Sequence, residues 1–302
     1  MRIVSLLPSA TEIVCTLGLT ESLVGISHDC DYPPAIRSRP VLSEAIVTTD
    51  LPSGFIETRI RGQIHRGTSV YHLDEAQLAS LRPDLILTQE LCRVCAPSYT
   101  LVQQAAKVLD APARIASLEP RTLSDILDNI LLIGDLTGAG DRAGLVTSNL
   151  RRRIEHVRAR AAGLPRPRVV CIEWLDPIYV GGHCVPEMVG IAGGQDVLGK
   201  AGEPSFVADW TQVVEAQPDV VVVMPCGFDV VRTRREIGLL TARPGWGDLP
   251  AVRGGRVYLT DASSYFNRPG PRIVTGLETL AAILHPGAFR ESLSPKDAER
   301  LP

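Results

Sequence analysis

Aromatic residues make up only 5% of this 302-residue chain, and neither sign of charge prevails: 31 Lys and Arg stand against 34 Asp and Glu, a net charge of −3. So few rings do not furnish a base-stacking platform, and so balanced a surface has no basic face for nucleic acid. Low-complexity tracts are lacking, and no apolar stretch approaches the about 20 residues of a membrane-spanning helix. There is no Walker loop, no G-x-G-x-x-G and no Ser-His-Asp order, so no catalytic motif points to an enzyme. A leader peptide is not legible either, because Pro8 and Glu12 interrupt the only candidate apolar stretch. The expectation as written is a cytoplasmic protein, periplasmic or lipid-anchored only if a leader has been removed. The seven cysteines, an odd number in a long chain, argue for free thiols or metal ligands rather than a disulfide framework.

What the chain does have is a repeated pattern. Five times a β-branched run ends and a chemically loaded stretch begins: 23–27 before His28 to Tyr32, 84–88 before Gln89 to Cys95, 169–173 before Trp174, 219–224 before Cys226, and 256–260 before Tyr265 to Arg268. Between the runs lie helical patterns, as at 9–18, 53–66, 74–81, 97–109 and 122–136. Strand–helix alternation of this kind implies α/β architecture with parallel sheets. In such sheets ligands sit beyond the carboxyl ends of the strands. Ser9 is the expected cap of the first helix, with Glu12 completing a capping box. Phe55, Ile56, Ile60 and Ile64 share one face of the second helix.

After the break at 137–141, Leu145, Val146, Leu150, Ile154 and Val157 recur every three to four residues, interleaved with Arg151, Arg152, Arg153, Arg158 and Arg160. The arginines read as a solvated face flanking an apolar stripe. A helix of about 20 residues is roughly 30 Å long, enough to cross from one lobe to another. The expected organisation is therefore an N-terminal α/β lobe over 1–138, a connecting helix over 139–164 and a C-terminal α/β lobe over 165–302.

Several segments carry a family resemblance: Arg2-Ile3-Val4-Ser5-Leu6-Leu7-Pro8-Ser9-Ala10-Thr11-Glu12, Asp31-Tyr32-Pro33-Pro34, Leu81-Arg82-Pro83-Asp84-Leu85-Ile86 and Asn267-Arg268-Pro269-Gly270-Pro271-Arg272-Ile273. In this order the chain resembles the class III periplasmic-binding fold, and most of all its cobalamin-binding branch among ABC-transporter substrate-binding proteins. The resemblance implies two lobes joined by one long helix, a small-molecule ligand held in the cleft between them, and an ABC permease as partner. It also implies a permease-facing glutamate on each lobe. Glu236 is the C-lobe counterpart, and no residue of 90–98 matches the N-lobe one.

The residues themselves nominate two sets. Trp174 supplies a flat apolar face with one N–H donor, suited to a corrin or porphyrin edge, or else it closes the top of the sheet. Tyr265, Phe266 and Arg268 precede a helix start, where free N–H groups and a guanidinium fork favour anionic or carbonyl oxygens. Tyr32 and Gln89 form the opposite wall, and Cys226 completes this set. The second set is metal-ligating. Cys92 and Cys95 form a C-x-x-C pair that suits a redox dithiol, a zinc half-site, part of an iron–sulfur site, or two thiols packed at a loop. Cys30, Cys226, His28 and His183 are further candidate ligands. Cys15 and Cys171 read as core, and Trp210 and Trp246 as packing residues. The expected function is binding of a metal-containing small molecule, cobalamin or another corrinoid, with a thiolate-bound metal as a further possibility. The alternative is a cytosolic metal- or iron–sulfur-binding protein using the cleft cysteines, with or without catalysis.

Overall fold

Strand β1 (Ile3–Ser5) is paired on both sides in a computed structural model that describes residues 1–48, 50–66, 69–90, 99–108, 112–289, 294 and 296–302. It leads into α1 (Pro8–Thr16) and β2 (Leu23–Ile26), followed by β3 (Ser43–Ala45), α2 (Ser53–His65), β4 (Tyr71–Leu73), α3 (Glu75–Leu81), β5 (Leu85–Thr88), α4 (Tyr99–Ala105) and β6 (Arg114–Ser117). The sheet runs β2-β1-β5-β6, parallel throughout, and β3 pairs with β4 as a separate antiparallel ribbon. β1 and β5 are buried along their whole length, as strands covered on both faces must be. Val4, Leu6, Leu42, Leu78 and Ile86 form the core around them.

Helices α5 (Leu123–Thr137) and α6 (Gly140–Ala161) follow. Their close approach requires Gly134, where a Cβ would lie 2.4 Å from that of Ala143. The buried stripe of α6 is Ala143, Thr147, Leu150, Ile154, Val157 and Ala161, and Leu145 is 72% exposed. The stripe expected from sequence is thus displaced at its amino end, because small Ala143, not Leu145, fits against Gly134 of α5. Arg153 also departs from a solvated arginine face. Its guanidinium makes two bonds to Glu278, at 2.8 and 2.7 Å, and one to Thr275 Oγ1 at 3.1 Å.

The second sheet is built from β7 (Arg168–Leu175), β8 (Ile178–Val180), β9 (Gln195–Asp196), β10 (Phe206–Val207), β11 (Val220–Val223), β12 (Val257–Thr260) and β13 (Ala298–Arg300). The order is β10-β8-β7-β11-β12-β13, with β9 beside the start of β7. β7, β11 and β12 are parallel, but β8, β10 and β13 run antiparallel to their neighbours. The sheet is therefore mixed rather than parallel throughout. A two-residue link at 176–177 folds β8 straight back on β7, and so short a connection permits only an antiparallel pair. The helices of this part are α7 (Val185–Ile191), α8 (Trp210–Glu215), α9 (Val230–Glu236), α10 (Gly238–Thr241), α11 (Pro250–Arg253), α12 (Ala262–Tyr265) and α13 (Ile273–Leu284). Val220 to Val223 are inaccessible to solvent, and Trp210 stacks on Trp246 with 6.1 Å between ring centres.

The chain divides into two compact units. The first holds Met1–Thr48, Thr58–Pro120 and Asp125–Ser148; the second holds Thr49–Glu57, Arg121–Ser124 and Asn149–Pro302. Neither is one continuous stretch, so α2 and α6 each contribute to both. Two local expectations give way. α1 begins at Pro8, not after Ser9, because a proline ring already holds the φ of a first helical residue. Ser9 and Glu12 lie buried inside the helix. On α2, Ile56 is buried while Phe55 is 64% exposed, so the expected apolar face is only partly covered.

Candidate functional site

In the first unit, β1, β2 and β5 end at the same edge of a parallel sheet, and the loops that follow carry His28, Cys30, Tyr32 and Gln89. Cys30 is turned inward and 5% exposed. Its Sγ lies 3.0 Å from Thr11 Oγ1 and 3.1 Å from Ser27 Oγ. The direction of these bonds follows from their neighbours. Ser5 donates its hydroxyl to Leu7 O at 3.1 Å, and Thr11 donates to Ser5 Oγ at 2.8 Å. With the Thr11 hydrogen spent, the Cys30 S–H is shared between Thr11 Oγ1 and Ser5 O, the latter 4.0 Å away, and the thiol accepts from Ser27. A one-way chain of hydroxyls and a thiol thus runs under this edge. His28 accepts or donates at Nδ1 with Ser43 Oγ, 2.8 Å away, and its Nε2 lies 3.5 Å from Asp29 Oδ2. Its ring packs at a tilt on Tyr71. Tyr32 is exposed and Gln89 is buried. Cys92 and Cys95 lie outside the described residues.

In the second unit, Trp174 lies near the carboxyl end of β7, half-buried, with its ring centre 5.2 Å from that of Phe228 in the loop after β11. The Trp174 Nε1–H is buried and has no hydrogen-bond partner among the described residues. Such a group is costly to leave unpaired, and it marks a place where an acceptor would be welcome. Phe228 is the hub of the wall. Arg232 lies 4.2 Å over its ring, and its carbonyl accepts from the backbone N–H groups of Ala262 and Ser263, both at 3.1 Å. Those bonds bring the start of α12 against the loop after β11. Cys226, two residues before Phe228, is exposed. Tyr265 is half-buried, and burial together with its hydrogen bond to Asp297 pushes its phenol up to about 12. Phe266 is buried, and Arg268 is half-buried.

His183 occupies a left-handed conformation, φ 50°, and its N–H donates to Glu203 O at 2.6 Å. Burial, then the nearby Arg121, lowers its pKa. Beside it Cys184 is buried, which pushes its thiol up to about 12, with Glu173 and Glu187 adding to the effect. Cys171, within β7, is raised by burial and by Asp196. Among the described residues, no three His, Cys, Asp or Glu side chains gather in a way that would hold a metal ion. Also among them, no helix is long and apolar enough to cross a membrane.

Sequence reading passed over Arg232, Tyr179 and the segment around Ser53. Arg232 donates to Leu51 O at 2.8 Å and pairs with Glu236, whose carboxylate accepts from Ser53 N at 3.0 Å. Glu236 is therefore engaged inside the second unit. Burial alone would raise its pKa, but the bonds from Ser53 and Arg232 outweigh it and hold the carboxyl below its usual range. A signal was available in Arg232 and Glu236, four residues apart and so on one face of a helix.

Residues 3–264 match the model of a family described as periplasmic binding protein. An uncharacterized ABC transporter substrate-binding lipoprotein of Bacillus subtilis is 25% identical over 96% of this chain and 82% of its own length. A vitamin B12-binding protein of Vibrio vulnificus is 25% identical over 92% of this chain and 87% of its own. Among solved structures, a periplasmic heme-binding protein of Pseudomonas aeruginosa shares the fold with a TM-score of 0.74 at 22% identity, covering 100% of this chain and 99% of that one. The resemblance read from the sequence holds for family and fold. The expected cytoplasmic placement does not: the matched family is periplasmic, and the Bacillus relative is a lipoprotein. That expectation rested on residues 1–12, which form β1 and the start of α1 and so report the fold rather than the compartment.

Proposed function

The chain belongs to the periplasmic binding protein family, and from that premise we propose that it binds cobalamin or another corrinoid as the cargo of an ABC importer, outside the cytoplasmic membrane. Membership in this family makes the protein a solute-binding protein rather than an enzyme. The observation that carries the choice of cargo is half-buried Trp174, seated at a 50° tilt on fully buried Phe228, with one buried N–H that has no partner among the described residues. A corrin ring edged with amides offers both a face to pack and carbonyl oxygens to accept. Arg268 and Cys226, of the same unit as Trp174, are proposed as further contacts. The Vibrio relative named for vitamin B12 supports the same reading. Where the cargo's metal meets the protein, soft thiols are proposed as the nearest ligands, Cys92 and Cys95 first.

An absorbance titration with cyanocobalamin, run beside one with hemin, tests this. Retention of cobalamin on gel filtration, with Trp174→Ala weakening binding by about 1–3 kcal/mol, is the expected outcome. Retention of hemin alone would replace the cargo, and retention of neither would remove the macrocycle reading altogether.

A further inference from the structure

Residues 50–57 lie far from β7 and α9 in sequence yet belong to the second unit. The groups that hold them connect to Trp174, two as its near neighbours in β8 and in the link between β7 and β8, and two through Phe228. Tyr179 is the cross-strand partner of Trp174, and its phenol donates to Glu57 Oε1 at 2.9 Å. Asp176 follows two residues after Trp174. Its Oδ2 occupies the space a side chain on Gly54 would need, 2.5 Å from the Cβ position, so the segment's backbone lies directly against it. Arg232 covers Phe228, which packs on Trp174, and the same guanidinium holds Leu51 O. Glu236 fixes Arg232 and accepts the Ser53 N–H at the first residue of α2, where negative charge is favoured.

We propose that residues 50–57 are a latch over Trp174, closed by Arg232 and Glu236, and that Arg232 is the positioning residue that ties the latch to the aromatic wall. The guanidinium is the shared part: it cannot leave Leu51 without also losing its seat on Phe228. A cargo that reaches Trp174 must first displace the segment. This rests on the reading of Trp174 as a ligand wall, but the latch itself can be tested with no cargo at all.

The test uses the full chain in two variants that open the latch from opposite sides. Arg232→Met removes the donor and the charge while keeping the stem. Gly54→Val wedges the segment away from Asp176 and leaves Arg232, Glu236 and Phe228 untouched. Hydrogen exchange read by mass spectrometry follows residues 50–57, and hydroxyl-radical footprinting reads each tryptophan separately. Both variants are expected to speed exchange of residues 50–57 at least tenfold and to raise Trp174 oxidation several-fold, with Trp210 and Trp246 unchanged. Arg232→Lys should recover part of the protection. Unchanged exchange in both variants overturns the latch. Faster exchange with unchanged Trp174 oxidation overturns its placement over the indole. If Trp210 and Trp246 also rise in one variant, that chain has lost its fold and the other variant decides. Failure of the cobalamin titration would remove the proposed cargo and leave these readouts intact.

Discussion

Replacing Cys30 by valine keeps an apolar side chain of similar size but breaks the one-way chain beneath the first sheet. The Ser27 hydroxyl, buried, loses its acceptor, and Thr11 loses the S–H that pointed at it. Leaving a buried donor unpaired costs about 1–3 kcal/mol, whereas the S–H bond to Thr11 is weak and adds little. The expected cost of Cys30→Val is therefore about 1–2 kcal/mol. Cys30→Ser donates and accepts in the same pattern, only with a shorter reach, and should cost less than about 1 kcal/mol. Urea unfolding followed by circular dichroism measures both, read as midpoint shifts at constant slope. The same burial should make Cys30 slow to label with a thiol reagent, in contrast to exposed Cys226. Equal costs for the two variants, or no cost for valine, would refute the assigned direction of the hydrogen bonds.

Three further outcomes follow from single contacts. Arg153→Lys loses the two-pronged grip on Glu278 and should destabilise the protein by about 0.5–1 kcal/mol at low salt, less at high salt, by thermal unfolding. The Tyr265 phenol should titrate near pH 12 in a Tyr265→Phe difference spectrum; its raised pKa favours the folded state below the ordinary phenol range, and that contribution fades as pH climbs through the folded value. Gly182→Ala would place a Cβ 2.1 Å from the Ser205 backbone nitrogen, so the loop carrying His183 must shift, at about 3 kcal/mol by calorimetry.

The architecture was legible wherever burial on both faces leaves a continuous β-branched run. Residues 84–88, 169–173 and 219–224 all became central strands, and the long helix expected over 139–164 forms as α6. Caps and faces were less legible because they depend on neighbours. Pro8 overrode Ser9 through ring geometry, and Leu145 lost its place to smaller Ala143 through close packing. At the candidate site, Trp174 stood out by its position after a strand, but its partners did not. Arg232 resembles any helical arginine until Phe228 and Leu51 are seen beside it. Cys30 shares its strand-end position with Cys226, yet one is buried and the other exposed. Position after a strand says which edge a residue occupies, not which way its side chain turns.

The interleaving of the two units also sets an order of assembly. Leu51 and Ser53 precede their partners Arg232 and Glu236 by 181 and 183 positions. The first sheet has all four of its strands by Ser117, so it can form while the rest of the chain is still emerging. The second unit has no such independence. Its helix α9 must recapture a segment made long before, closing a loop whose entropy grows only slowly with length but whose formation is slow in time. A fragment beginning at Asn149 would carry every strand of the second sheet and still not be the second unit.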